Sequence, residues 1–115
     1  MTIIVCGDRN WTNVESIRRV LSYFPADTVV IEGGARGADR IAASVARSLG
    51  LQVREFPANW TGQGRAAGPV RNKRMLAEQP AQVLAFHSDI EKSKGTKHMV
   101  TIALEAGIPV FLYTE

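Results

Sequence analysis

"VVIEGGARGAD", residues Val29 to Asp39, decides how this chain is read. A β-branched run ends at Glu32, two adjacent glycines follow, and Arg36, Gly37 and Asp39 lead into a helical pattern. Short, continuous apolar runs mark strands buried on both faces, whereas half-exposed strands alternate. The local unit is therefore strand, glycine turn, helix, and the turn makes room for something.

The same unit recurs on either side. "TIIVC" (Thr2 to Cys6), "TVVIE" (Thr28 to Glu32), "LQVREF" (Leu51 to Phe56), "QVLAF" (Gln82 to Phe86) and "PVFLY" (Pro109 to Tyr113) read as five strands. Polar residues within "LQVREF" place it near a sheet edge, and Pro109 is tolerable at a strand start. Thr12 and Glu15 make a capping-box pattern, which predicts a helix from about Asn13 to Tyr23. Ile41, Val45 and Leu49 recur every four residues beside Ala42 and Ala46, with Gly50 as the stop. Gly68-Pro69 opens a third helix with proline at its first position, and a fourth runs from Thr96 to Ala106 before Gly107. Strands alternating with helices require parallel pairing through right-handed crossovers. The expected fold is α/β: a single doubly wound, Rossmann-like domain over residues 1–115, its five-stranded, mainly parallel sheet covered by helices on both faces.

Composition narrows the function classes. A chain of 115 residues, 45% hydrophobic and 22% charged, has the make-up of one globular domain. No apolar run reaches the roughly 18 residues that span a bilayer, and the N-terminus reads straight into a strand rather than a signal peptide. One cysteine, Cys6, forms no internal disulfide, which fits a cytoplasmic protein. Fourteen basic against 11 acidic residues give +3 and a pI near 9.4, suited to an anionic ligand or nucleic acid, or merely to surface chemistry. His87 and His98 lack metal-ligand spacing with Cys6 or a carboxylate, so neither metal nor cofactor is expected.

In doubly wound sheets ligands bind beyond the carboxyl ends of the strands. The unusual residues fall there: "GDRNW" after the first strand, "GGARGAD" after the second, "PANWTGQGRAAGPVRN" after the third and "HSDIEKSKGT" after the fourth. Arg9, Arg36, Arg65, Arg71, Lys92, Lys94 and Lys97, half of the 14 basic residues, lie in these segments or the helical turn after them. Gly33, Gly34 and Gly37 permit tight turns and bring backbone N–H groups close to a ligand, and the next helix directs its positive end there. Arg36 offers a forked donor for phosphate oxygens. The competing reading is a glycine turn that only lets helix and strand pack closely. The spacing fits neither a P-loop nor a dinucleotide fingerprint. Trp11 and Trp60 are candidates either to stack a base or to pin their loops. Asp39 reads as a ribose ligand or a helix cap, and Glu32 as a ligand-orienting acid or the buried partner of an arginine. Gly95-Thr96 is a second anion-friendly helix start, with Thr96 as its cap.

"GGARGAD", "FPANW", "AGPVRNKRM" and "GTKHM", in this order, resemble the small YspA/YpsA-related members of the SLOG superfamily over nearly the whole chain. The resemblance implies a Rossmann-like domain that binds a nucleotide or nucleotide-derived small molecule. Relatives include phosphoribohydrolases, sensors of nucleotide signals and a DNA-binding recombination mediator. The hydrolase branch, the Lonely Guy type, carries "RKxxM" and "PGGxGTxxE", with the arginine and the final glutamate catalytic. "RNKRM" matches the first through Arg71 and Met75, and "GTKHM" keeps Gly95 and Thr96. Met99 stands at the glutamate position, and a charged loop replaces the "PGG". A positioned acid or base contributes about 10²–10⁴-fold, which methionine cannot supply.

A binding module is thus expected, with Gly7, Gly33, Gly34, Gly37, Gly95 and Thr96 around the ligand. Arg36 and Arg71 would meet phosphate, Asp39 ribose, and Arg9 and Trp11 the base, with Asn72 also among the ligand-binding residues. The alternatives are an N-glycosidic hydrolase using Arg71 with an acid from another loop, and a DNA-binding module using Arg65, Arg71, Lys73 and Arg74. The resemblance also implies a homo-oligomer.

Overall fold

The computed structural model describes residues 1–115. Strands β1 (Thr2–Gly7), β2 (Val29–Glu32), β3 (Gln52–Glu55), β4 (Gln82–Phe86) and β5 (Val110–Tyr113) form one sheet in the order β3-β2-β1-β4-β5. Every neighbouring pair is parallel, so the expected α/β architecture holds in full. Strand order reverses between β1 and β4, and a crevice for ligands opens at such a reversal.

Alternation along the strands divides the core in two. Ile3, Val5, Val30, Leu84 and Phe86 pack with Ile17 and Leu21 of α1 (Val14–Leu21) and with Ala42, Val45 and Ala46 of α2 (Ala38–Ser48). On the other face Ile4, Cys6, Ile31, Val83 and Ala85 meet Met75 of α4 (Ala67–Leu76) and Met99 and Ala103 of α5 (Gly95–Glu105). The alanines of α2 let its axis approach the sheet closely.

Helix starts differ from the sequence reading by a residue or two, for local reasons. Asn13, not Thr12, caps α1: its Oδ1 accepts from Ser16 N at 3.1 Å. The helix α4 begins at Ala67, so Pro69 is its third residue, still among positions whose N–H has no intrahelical acceptor. Before it lie one short helix, α3 (Trp60–Gln63), and a 3₁₀ turn (Gly64–Ala66), both read from sequence as loop. At α5 the cap bond comes from Ser93, whose Oγ accepts from Thr96 N at 2.9 Å, and Thr96 itself is buried.

The two sheet edges are unlike. Beside β3, as expected an edge strand, Arg54 pairs with Glu78 and also lies over the Phe56 ring. Along β5, Phe111 and Leu112 are 47% and 46% exposed and no charge guards them. No helix is long and apolar enough to cross a membrane.

Candidate functional site

The loops after β1 and β2 are stitched into one unit at the carboxyl end of the sheet. Ala38 N donates to Asp8 O at 3.1 Å, and Arg36 donates from Nε to Arg9 O (3.3 Å) and from Nη2 to Asn10 Oδ1 (3.1 Å). Arg36 therefore spends part of its fork on holding the loop and keeps three N–H groups for a ligand. Gly37, at φ 83° and ψ −127°, is pressed against the backbone of the β1 loop: a Cβ there would lie 2.4 Å from Asp8 O and 2.5 Å from Arg9 C. Gly7 answers to packing alone, since its Cβ would sit 2.2 Å from Phe86 O.

At Gly33 the space is filled by an arginine side chain. Arg71 of α4 donates from Nη1 to Gly33 O at 2.8 Å, and its guanidinium occupies the place a Cβ would take. Asp39 borders the same point, with Oδ2 accepting from Ala35 N at 3.2 Å. Burial pushes the Asp39 carboxyl up to about 6, against the pull of the Ala35 amide and the Arg71 charge. Asp39 lies in the first turn of α2 but braces the loop from inside. It is 6% exposed, and Gly37 holds the cap position. Glu32 is completely buried: Oε1 accepts from Gly34 N at 2.8 Å and Oε2 has no partner. Burial pushes it to about 7, opposed by the Gly34 amide and reinforced by Asp39 and Glu55. Its hydrogen-bond partner is backbone, so of the two sequence readings the one that pairs it with an arginine is not met. Below them, burial raises the Cys6 thiol far above its ordinary range, which leaves it an inert core residue.

Other candidate residues are placed less centrally. Trp11 is 7% exposed, donates from Nε1 to Asn13 O at 3.0 Å and meets Phe86 edge-on at 5.7 Å; it pins its loop rather than offering a face to a base. Trp60 is 60% exposed and lies over Gly68, whose missing Cβ would be 3.3 Å from the indole. Gly68 and Arg71 are three residues apart and share a face of α4. Asn72, 5% exposed, bonds to Arg71, Gly95 O and His98, so it faces the protein and not the crevice. Gly95 has open space where a Cβ would stand. Lys92 and Lys97 pair with Asp89 and Glu91, which reduces the positive rim expected there. Arg40, which the sequence reading passed over, joins Arg9 and Arg36 around a shallow groove of about 540 Å³. Its position one turn into α2 was the available signal. No cluster of metal-ligating side chains occurs.

Sheet order, crossover helices and the glycine loop at the carboxyl end of β2 define a Rossmann-like α/β domain. The chain belongs to the family described as YspA, cpYpsA-related SLOG, whose model matches residues 1–62. That match includes Gly7 to Asp39 and ends before Arg71. The Gene 61 protein of Mycobacterium phage D29 is 36% identical over 122 residues, covering 98% of this chain and 96% of that protein. The X-ray structure of DNA processing protein A (DprA) from Streptococcus pneumoniae superposes with a TM-score of 0.80 at 20% identity, over 96% of this chain and 49% of that one. The chain thus spans about half the length of that protein, and the likeness is one of fold.

Proposed function

We propose that the protein binds a nucleotide or nucleotide-derived small molecule at the carboxyl ends of β1, β2 and β4, as a sensing, sequestering or regulatory module. The observation that carries this reading is the Arg71 guanidinium lying over Gly33. Two of its five N–H groups are engaged by Gly33 O and Asn72 Oδ1, and the other three remain for phosphate oxygens. Trp60 of α3, packed over Gly68 on the face of α4 that carries Arg71, supplies an exposed ring for the base. Arg9, Arg36 and Arg40 extend the positive surface for a second phosphate. Hydrolysis is disfavoured because Met99, at the expected glutamate position, is 0% exposed, while Glu32 and Asp39 are turned into the loop.

Thermal stability against adenosine and guanosine phosphates, NAD, ADP-ribose and single-stranded DNA tests this, with mass spectrometry for released base. A ligand at 100 times its Kd adds about 2.7 kcal/mol. Arg71→Ala is expected to weaken binding roughly ten- to hundredfold, because hydrogen bonds to charged groups contribute about 1.5–3 kcal/mol. Free base in the mixture would instead establish the hydrolase. A shift with DNA alone, falling steeply with salt, would establish nucleic-acid binding.

The same proposal includes a homo-oligomer, paired through the uncharged β5 edge. Leu112→Lys should turn it into a monomer in sedimentation equilibrium. A wild type already monomeric would count against the pairing.

A further inference from the structure

Asn72 is the point where three segments meet. Its Oδ1 accepts from Arg71 Nε at 3.1 Å, while Nδ2 donates to Gly95 O at 3.2 Å and meets His98 Nδ1 at 3.1 Å. The orientation of the amide follows from its partners: a guanidinium only donates and a carbonyl only accepts. With both amide hydrogens used, His98 Nδ1 must accept, so the ring is neutral with its proton on Nε2. Arg71 Nη1 continues the chain to Gly33 O. A single run of hydrogen bonds therefore links the glycine loop after β2, the middle of α4 and the first turn of α5. The side chain at its centre is 5% exposed.

We propose that Asn72 is a positioning residue that fixes the reach of Arg71 and the start of α5 together, so that the glycine loop and the α5 start present one pre-formed surface. Its use rests on the ligand-binding reading above, but the coupling itself belongs to the free protein. A side chain as long as arginine reaches many rotamers, and binding with it unrestrained costs side-chain entropy that a fixed Nε–H avoids. Asparagine suits this place because one short, uncharged group supplies an acceptor and two donors at once. Alanine supplies neither, and aspartate supplies only acceptors.

The charge state of His98 makes the coupling measurable. Protonation would put an N–H on Nδ1, facing the amide hydrogens of Asn72, and break that bond. Burial and Lys73 of α4 lower the tendency of His98 to take a proton, and Glu105 of its own helix opposes them. Glu91, in the turn before α5, is tied to Lys97. The linked state is therefore the one present at neutral pH and above.

Nuclear magnetic resonance of the ¹⁵N-labelled full chain tests this. In the wild type the Arg71 Nε–H resonance should be sharp and should shift in step with the His98 titration, whose ring shifts should report the Nε2–H tautomer. Asn72→Ala should lose the sharp Arg71 signal and raise the His98 midpoint. Asn72→Asp should keep the Arg71 signal, because its acceptor survives, and raise the His98 midpoint further by its charge. An Arg71 signal indifferent to His98 in the folded wild type, or an Nδ1–H tautomer, overturns the proposal without recourse to any variant. Titration with AMP is read separately, and Asn72→Ala should weaken it about tenfold. Absence of AMP binding in the wild type would tell against AMP as a ligand, while coupled titration of Arg71 and His98 would still uphold the role of Asn72.

Discussion

Gly37→Ala is expected to cost about 2–6 kcal/mol of folding stability, a large share of the roughly 5–15 kcal/mol typical of a domain. Two effects add. Gly37 sits at φ 83° and ψ −127°, a backbone conformation essentially reserved for glycine, and forcing another residue into it costs on the order of 1–3 kcal/mol. A methyl there would also drive into Asp8 O at 2.4 Å and Arg9 C at 2.5 Å, backbone that cannot step aside without parting the two loops. Overpacking of that kind costs about 1–3 kcal/mol more. Gly50→Ala is the control: its φ is 78° but nothing lies within 4 Å of the new carbon. It should cost only about 1–2 kcal/mol from the left-handed backbone. Urea unfolding of both variants checks this. Equal losses would mean that the contact with the β1 loop does not set the conformation of Gly37.

The glycines of one motif thus divide by what stands opposite them. Gly37 meets backbone, so its replacement strains the fold. Gly33 meets the guanidinium of Arg71, whose far end can move, so a methyl there would displace that guanidinium and spare the core. Gly34, at φ 75°, lies against the Glu55 carboxylate and donates its N–H to Glu32. The turn in "GGARGAD" thus makes room for the neighbouring loop at Gly37 and for Arg71 at Gly33.

This division marks what the sequence could and could not disclose. The five strands were legible because burial on both faces writes a continuous β-branched run, and β3 was legible as an edge because Gln52 and Arg54 interrupt one. Asn13 escaped notice as the α1 cap because Thr12 and Glu15 formed a plausible box one residue earlier; only the bond from Ser16 N distinguishes them. The helical turns at Trp60–Gln63 and Gly64–Ala66 lie in a glycine-rich stretch without apolar periodicity, where the only local sign is Asn59 capping Gly62 N. In the candidate site, Arg71 and the glycines stand out by residue type and position, whereas their contact at Gly33 was not legible. The role of Asn72 was not legible either, because it depends on partners outside its own segment; Trp11 pins its loop, one of its two sequence readings, and Glu32 accepts from the Gly34 amide two residues on. Asn72 looked like a ligand contact until Gly95 and His98, 23 and 26 residues away, took its donors.

Glu32 should make the domain less stable as pH rises from about 4.5 to about 7.5. Its folded-state value is raised from 4.5 to about 7, chiefly by burial. The folded protein therefore holds the proton more tightly than the unfolded chain does. For such a group the stabilisation is complete below the unfolded value and is lost as pH climbs through the folded one. At 1.36 kcal/mol per unit, that range represents about 3 kcal/mol from Glu32. Asp39, raised from 3.8 to about 6, acts in the same direction over a slightly lower window. Glu32→Gln isolates the first contribution, because glutamine keeps an oxygen for Gly34 N and never ionises. The new amide hydrogens lie where Oε2 has no partner, a burial cost of about 1–3 kcal/mol that is the same at every pH. The readout is therefore the slope and not the absolute stability. Unfolding free energies from urea titrations across this range should fall steeply for the wild type and about 2–3 kcal/mol less for Glu32→Gln. Parallel slopes would show that Glu32 ionises in the folded state as readily as in water, and that the floor of the glycine loop is open to solvent.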